Sequence, residues 1–391
     1  MYVIGIDVSK YKHDCIILKE DTGEIVRDVF SIENSRSGFN QLSQVLKTLD
    51  PKIKKKIGFE STGHYQDNLK IFLANEGLDF MELNALLVHK FKSSQTLRGV
   101  KTDKTDARLI ADYLYKIEFK PYSRLVYNIL ALRSLCKRHF DLITERTRNL
   151  IRITNFLDRT FPELKSFLNN NLKSKTAMFI LHNYGVPSKI TNLNTQSYEK
   201  LRKESYGRFT VAKFNKLKEL AKNTIGFSYE TDIFEINSLL RSHDLIEEEI
   251  SFVENEISTH LSKINSKIPT IKGIGLISVA TLIAEIEDIS RFDSPDKLLA
   301  FAGLDSRTYQ SGTKDVKGKM NKKGSVTLRR ILMNCAESLL MYNPVFYEYY
   351  RKKRDEGKAH RVALSHVARR LVRIIFKIES EQIDFDLSLV K

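Results

Sequence analysis

Two stretches of the sequence carry apolar residues at heptad spacing, and they constrain the fold more than any other feature. Ile129, Leu132, Cys136, Ile143, Leu150, Ile153 and Leu157 make the first seam; Ile236, Leu239, Ile246, Ile250, Val253, Ile257 and Ile264 make the second. Spacing of this kind predicts two long helices that pair antiparallel with each other or with a second protomer. Two helices of an ordinary bundle are the plainer reading of the same pattern. His139, Arg146, His243 and His260 interrupt the seams. Residues 166–230, between them, are polar, rich in Asn and Lys and weakly periodic, and predict a small helical insert. A chain of 391 residues is too long for one ordinary core, so two or three domains are expected.

Ahead of the seams the period is that of strands. Residues 2–6 (YVIGI), 13–19 and 24–30 read as three strands, the last two joined by the turn Asp21-Thr22-Gly23. A helix over 38–49, a strand over 54–60 that ends in an acid, a helix over 65–76 and a strand near 79–83 follow. A meander followed by alternating helix and strand predicts a mixed α/β sheet. Beyond the seams, PTIKGIGLISVATLIAEI is a Gly-bearing turn leading into an apolar helix, similar to a helix-hairpin-helix in a mostly α segment. Gly273 and Gly275 would let backbone approach a phosphate at a helix N-terminus; a plain helix connection explains the same residues.

The formal charge is +16, from 64 Lys and Arg against 48 Asp and Glu, which makes a polyanion the natural partner. Cys15, Cys136 and Cys335 show no ligand spacing, so a zinc site or disulfide framework is not expected and a reducing compartment is. The start, MYVIGIDVSKYKHD, lacks the form of a signal peptide, and no apolar run reaches bilayer length. A soluble, intracellular, cytoplasmic protein with no membrane partner is expected.

Four acids stand out by context. Asp7 ends the first strand, Glu60 ends a later one, and Asp103 and Asp106 open a helix in VKTDKTDARLIADYL. Thr102 or Asp103 can cap that helix, and i, i+3 spacing puts both carboxylates on one face. Strand ends place side chains at the rim of a sheet, where open α/β folds keep their sites. Four converging carboxylates require cations among them, and hard oxygen donors select Mg²⁺ or Mn²⁺. Two such ions stabilise the attacking and leaving oxygens of phosphodiester cleavage. Any one of these acids alone reads equally as a turn residue or helix cap.

Residues 307–330 read as a loop with eight Lys or Arg against one Asp, punctuated by Gly312, Gly318 and Gly324. Lys314, Lys317, Lys319, Lys322, Lys323, Arg329 and Arg330 are the expected contacts to a nucleic-acid backbone. Ser311 starts the loop; a hydroxyl needs help to be a nucleophile, and nearby cations with a metal-bound phosphate would supply it. Ser-Gly by itself is also an ordinary turn. Residues 351–373 hold nine Lys or Arg. Their later part predicts an amphipathic helix with Val362, Leu364, Val367, Leu371 and Ile374 inward and Arg369, Arg370 and Arg373 outward, as solvated face or as nucleic-acid contact.

GIDVSK, FESTGHY and KTDKTDA, then a helical middle, then IKGIGLISVATLIAEI, FAGLDSRTYQSG and KKGSVTLRRIL, resemble in this order the DEDD transposases of bacterial insertion sequences, the recombinases guided by a bridge RNA. The likeness runs from about residue 1 to about 375. It implies an RNase H-like domain, akin to Holliday-junction resolvases, at 1–125, a coiled-coil linker at 126–268 with the insert inside it, and a C-terminal transposase domain at 269–391. The family's metal-binding acids match Asp7, Glu60, Asp103 and Asp106, and its catalytic serine matches Ser311. By resemblance that serine attacks the DNA backbone and holds one strand end as a phosphoserine. Double-stranded donor and target DNA, a guide RNA, two Mg²⁺ or Mn²⁺ ions per site and a homodimer pairing into a tetramer are implied in the same way. Three other readings compete: a DNA invertase of the same architecture, a metal-dependent nuclease or junction resolvase using water, and a non-enzymatic nucleic-acid-binding protein.

Overall fold

The computed structural model describes residues 1–60, 65–95, 103–119, 121, 126–311 and 314–387, with backbone alone at 86, 95, 103, 104, 126, 127, 306–311 and 314–319. The chain forms two compact units: Met1–Arg133 together with His260–Lys391, and Ser134–Thr259.

The first unit begins with the meander β1 (Tyr2–Val8), β2 (Lys12–Lys19) and β3 (Ile25–Glu33). Gly23, at φ +66°, makes the turn between β2 and β3. Helix α1 (Arg36–Lys47) carries the chain across to β4 (Lys55–Glu60), α2 (Asp67–Asn75) to β5 (Phe80–Leu83), and α3 (Ala85–Gln95) and α4 (Asp103–Lys116) follow. The sheet order is β3-β2-β1-β4-β5, antiparallel across β3-β2-β1 and parallel across β1-β4-β5. This is the mixed α/β sheet that the strand spacing predicts.

Period-two alternation gives the sheet two buried faces. Ile4, Ile6, Cys15, Ile17, Ile57 and Phe59 pack beneath Leu42 and Leu46 of α1 and Leu69 and Leu73 of α2. Val3, Ile16 and Leu18 turn the other way, onto Ala107, Ile110, Ala111 and Leu114 of α4. On that second face Gly5 is required by contact: a Cβ there would stand 2.6 Å from both Ala107 O and Ala111 N. Gly58, its registered neighbour, would place one 2.7 Å from Leu114 Cδ2. The helix backbone therefore rests directly on the strands.

The second unit holds the seams. Helix α5 (Val126–Thr160) enters it and α11 (Asp232–Leu261) leaves it, with α6 (Pro162–Phe167), α7 (Lys175–Tyr184), α8 (Pro187–Thr191), α9 (Thr195–Glu204) and α10 (Val211–Lys222) between. His139 Nε2 meets Glu254 at 3.0 Å, Arg146 meets Glu247 at 3.2 Å, and Arg159 meets Asp232 at 2.8 Å. As α5 numbers rise, α11 numbers fall, so the two pair antiparallel within one chain. The seam drifts from the expected positions. Leu142 and Leu240 are buried where Ile143 and Leu239 are only half-buried. A helix turns 3.6 residues per turn, not 3.5, so a strict heptad template slips off the buried stripe along its length. The insert is also better packed than its weak periodicity suggests, with Leu172, Ile180, Leu201 and Leu217 buried in a core shared with Ile153 and Leu157 of α5 and Ile236 of α11.

In the first unit the chain resumes with α12 (Leu276–Ile286) and α13 (Pro295–Phe301), the hairpin β6 (Ser306–Ser311) and β7 (Lys314–Met320), then α14 (Val326–Tyr342), α15 (Pro344–Asp355) and α16 (His360–Glu381). Three expectations change here. Residues 307–330 are not one loop, because backbone pairing from Ser306↔Met320 to Ser311↔Lys314 makes a hairpin and Arg329 and Arg330 belong to α14. A single 3-10 turn, Ile268–Thr270, precedes α12, so no full first helix forms a helix-hairpin-helix there. Gly273, at φ +101°, would put a Cβ 2.9 Å from Tyr342 Cβ, and close packing on α14 accounts for it. On α16, Leu364, Val367, Leu371 and Ile374 are buried as expected, but Val362 is exposed because it lies in the first turn, before the helix reaches its neighbours.

Two buried histidines set an acid limit. His13, beside Phe39, is held below the ordinary imidazole range by burial, with the Lys12 backbone, Asn34 and Asp14 opposing. His243 on α11 is lowered mainly by burial as well. A lowered folded pKa means the unfolded chain binds the proton first, so the stability present above pH 6.5 is lost as pH falls through the folded value. Calorimetry from pH 7.5 to 5 should show each unit's melting fall, and His13→Phe should flatten the fall. An unchanged slope in that variant would remove His13 from the account.

Candidate active site

The parallel register ends at Ile6↔Phe59, and one residue further along the two strands stand Asp7 and Glu60. Both are half-buried. Alternation from Gly5 and Gly58 turns them to the face that α4 covers. The helix has a definite direction there. Gly5 touches Ala107 and Ala111, and just past its C-terminus Glu118 and Phe119 line a cavity with Met1, Lys54 and Lys55 at the strands' starting edge. Helix α4 thus runs antiparallel to β1 and β4, and its acidic first turn lies toward the edge that Asp7 and Glu60 occupy.

Asp103 is the first residue of α4, and its side chain lies outside the described residues, as does Thr102 altogether. Asp106 Oδ1 accepts from Lys92 Nζ of α3 at 2.6 Å. That ammonium is the counter-charge this carboxylate holds, and nothing in the alternation pattern pointed to it. A second residue missed by sequence reasoning is Asp14. It pairs with Asp7 across β1 and β2, so both point to one face. Asp14 is buried, accepts from Ser31 Oγ and meets Lys12 Nζ at 3.1 Å. Alternation puts position 14 on one face with Ile16 and Leu18, but its pairing with Asp7 depends on a register that the sequence does not fix.

Among the described residues no three His, Cys, Asp or Glu side chains gather closely enough to hold an ion together. Carboxylates leaving two registered strands are donors of the kind a hard dication takes, while Asp106 is held by the Lys92 ammonium.

Ser311 ends β6 opposite Lys314. The side chains of Ser311, Lys314, Lys317 and Lys319 lie outside the described residues. Lys322 and Lys323 are exposed and Arg330 is half-buried. Arg329 Nη1 donates to Lys322 O at 3.3 Å, which ties the link after β7 to the first turn of α14. Among the described residues no helix is long and apolar enough to cross a membrane.

Acids leaving two registered strands and a basic hairpin are features that a DNA-processing enzyme would use, and likeness to known proteins supplies the class, that of the transposases. Residues 4–162 match a family model for DEDD transposases of the IS110 type, and residues 265–351 match the transposase family of IS116, IS110 and IS902. The chain is 25% identical to an uncharacterized protein of insertion element IS110 from Streptomyces coelicolor, over 71% of this chain and 70% of the relative. It is 24% identical to an uncharacterized protein of insertion element IS116 from Streptomyces clavuligerus, over 95% and 93%. With a pilin gene-inverting protein of Moraxella bovis it shares 22%, over 98% and 97%. The chain belongs to the IS110 family of DEDD transposases.

Proposed function

We propose that this transposase cuts and rejoins DNA through Ser311, with Asp7, Glu60, Asp103 and Asp106 as the carboxylates that hold two Mg²⁺ or Mn²⁺ ions. The observation that carries the reading is the shared edge: Asp7, one residue before the end of β1, and Glu60, the last of β4, follow the final registered pair on the face that α4 packs against. When bound, the ions neutralise charge on the reacting phosphate and on the departing oxygen. The Ser311 oxygen forms a bond to phosphorus, one sugar–oxygen bond to phosphorus breaks, and the proton lost by the serine is matched by one gained at the departing oxygen. Bond energy is kept in the phosphoserine, so a second strand end can reverse the step and be joined. Residues 1–125 carry the acids, 126–268 the stalk and 269–391 the serine. Exchange between two duplexes calls for several such sites, which favours a homodimer or tetramer, and a structured guide RNA supplies target choice by pairing.

The test is covalent capture. Full-length protein with Mg²⁺ and nicked donor DNA should give a protein–DNA adduct that survives denaturation and maps to Ser311. Ser311→Ala should give none. Cleavage that proceeds in Ser311→Ala would replace the serine with water and make the chain a nuclease or resolvase. A second reading, site-specific inversion, is favoured by the near full-length likeness to the pilin gene-inverting protein. A plasmid with its sites in inverted orientation, scored for inversion against excision, separates the two.

A further inference from the structure

A cleft of about 390 Å³ opens at the root of the β6–β7 hairpin, walled by Asp296, Asp305, Tyr349, His366, Arg369 and Arg373. Its position is fixed by backbone. Asp305 immediately precedes β6, and its carbonyl accepts from Asn321 N, just past β7, at 2.7 Å. Arg369 Nε donates to Leu304 O at 2.8 Å, which anchors the guanidinium plane in the cleft wall one residue from Asp305.

The surroundings are cationic. Arg370 covers the Tyr349 ring at 4.5 Å from its centre, and Lys353 lies 5.6 Å from the same ring. His366 is held below the ordinary imidazole range first by burial, then by Arg369, Lys353 and Lys358, with Glu356 opposing. Within the lining Arg369 and Arg373 balance the carboxylates of Asp296 and Asp305; Arg370 adds a further cation over Tyr349, while Lys353 is paired with Glu356 at 2.8 Å. One of those carboxylates is loosely held: Asp296 meets Arg373 at 3.5 Å with both side chains exposed, an arrangement worth little and readily exchanged. A guanidinium anchored through its Nε, beside a second one held only by an exposed carboxylate, can take a phosphate once that carboxylate yields.

We propose that this cleft seats one phosphodiester of the DNA strand led toward Ser311. The inference rests on the recombinase reading, because DNA is preferred to RNA by the cleft's place at the root of the segment that carries the serine. Ser311 lies six residues along β6 from Asp305, about 20 Å at the rise of a strand, so the cleft would hold the strand's path several nucleotides from the attacked phosphorus. Phosphate displaces Asp296 from Arg373, and Arg369 meets a second oxygen. Residues 369 and 373, one turn apart on α16, present both guanidinium groups along one line.

The experiment measures binding of full-length protein to a fluorescent donor duplex between 50 and 200 mM salt. Arg373→Gln should weaken binding on the order of fivefold and lower the salt slope by about one. Asp296→Asn should act with the opposite sign and tighten binding, since it removes the competing carboxylate. Arg369→Gln should follow Arg373→Gln, but it also loses the bond to Leu304, so the exposed pair decides the matter. Arg202→Gln, on the exposed surface of α9 in the other unit, should leave both values unchanged. A wild-type slope in Arg373→Gln, weaker binding in Asp296→Asn, or loss confined to a labelled RNA would each overturn the proposal. A chain that never forms the serine adduct, yet shows the opposed effects of Arg373→Gln and Asp296→Asn, keeps the cleft and loses the recombinase mechanism instead.

Discussion

Asp7→Asn is expected to lower strand cleavage on the order of 10³-fold while moving the melting temperature by only a few degrees. The substitution keeps size and shape and removes one negative charge from a half-buried residue at the rim of the sheet, where relaxation is easy. Ground-state folding therefore changes little. On the proposed mechanism the reacting phosphate would lose much more, because an ion left with three carboxylates instead of four would bind weakly and offset less charge during bond exchange. Calorimetric titration with Mn²⁺ supplies an independent reading, and the variant should lose at least one binding event. Asp14→Asn is the natural contrast. That carboxylate is buried and already served by Ser31 and Lys12, so its loss should appear in the melt rather than in cleavage. Wild-type cleavage by Asp7→Asn under Mg²⁺ would remove this edge from the chemistry.

Much of the molecule was legible before any coordinate was seen, for identifiable reasons. Strands β1, β2 and β4 are short apolar runs closed by turns or acids, and the alternation that names them also says which residues share a face. That Asp7 and Glu60 share a face past the last registered pair of β1 and β4 follows from the same alternation, whereas their role rests on the proposal. Asp14 could not be singled out by the same logic, since its pairing with Asp7 depends on how the β1–β2 hairpin aligns, and a shift of one residue would send it to the other face. Lys92 was invisible for a different reason: α3 and α4 meet only in space. The basic stretch at 307–330 was recognised by charge but misread as a loop, because Lys and Gly hide the period-two pattern that a buried strand shows. Hairpin β6–β7 is held by backbone pairing, which any residue but proline can supply. The drift of the α5–α11 seam is the mismatch between a heptad template and the 3.6-residue turn of a helix.

Gly5→Val is expected to damage both stability and the site, and the two losses should arrive together. A Cβ at position 5 would stand 2.6 Å from the carbonyl of Ala107 and the amide of Ala111. Both are backbone atoms inside α4, so no rotamer change relieves the clash; the helix must lift from β1 or the strand must bow. Overpacking of a rigid contact costs about 1–3 kcal/mol and more where the backbone has to move. For a unit of this size each kcal/mol lowers the melting temperature by about 2–4 °C, so a fall on the order of 10 °C is expected. The lift also carries the first turn of α4 away from Asp7 and Glu60, and Mn²⁺ binding should fail in protein that is still folded at low temperature. Gly23→Ala is the control. Gly23 sits at φ +66° with open space around its Cα, so alanine there costs about 1 kcal/mol of backbone strain and touches no carboxylate. It should lower the melt slightly and leave metal binding intact. If Gly5→Val instead melts like the wild type, α4 does not rest on β1, and the convergence of the acidic helix turn with the two strand ends has no physical basis.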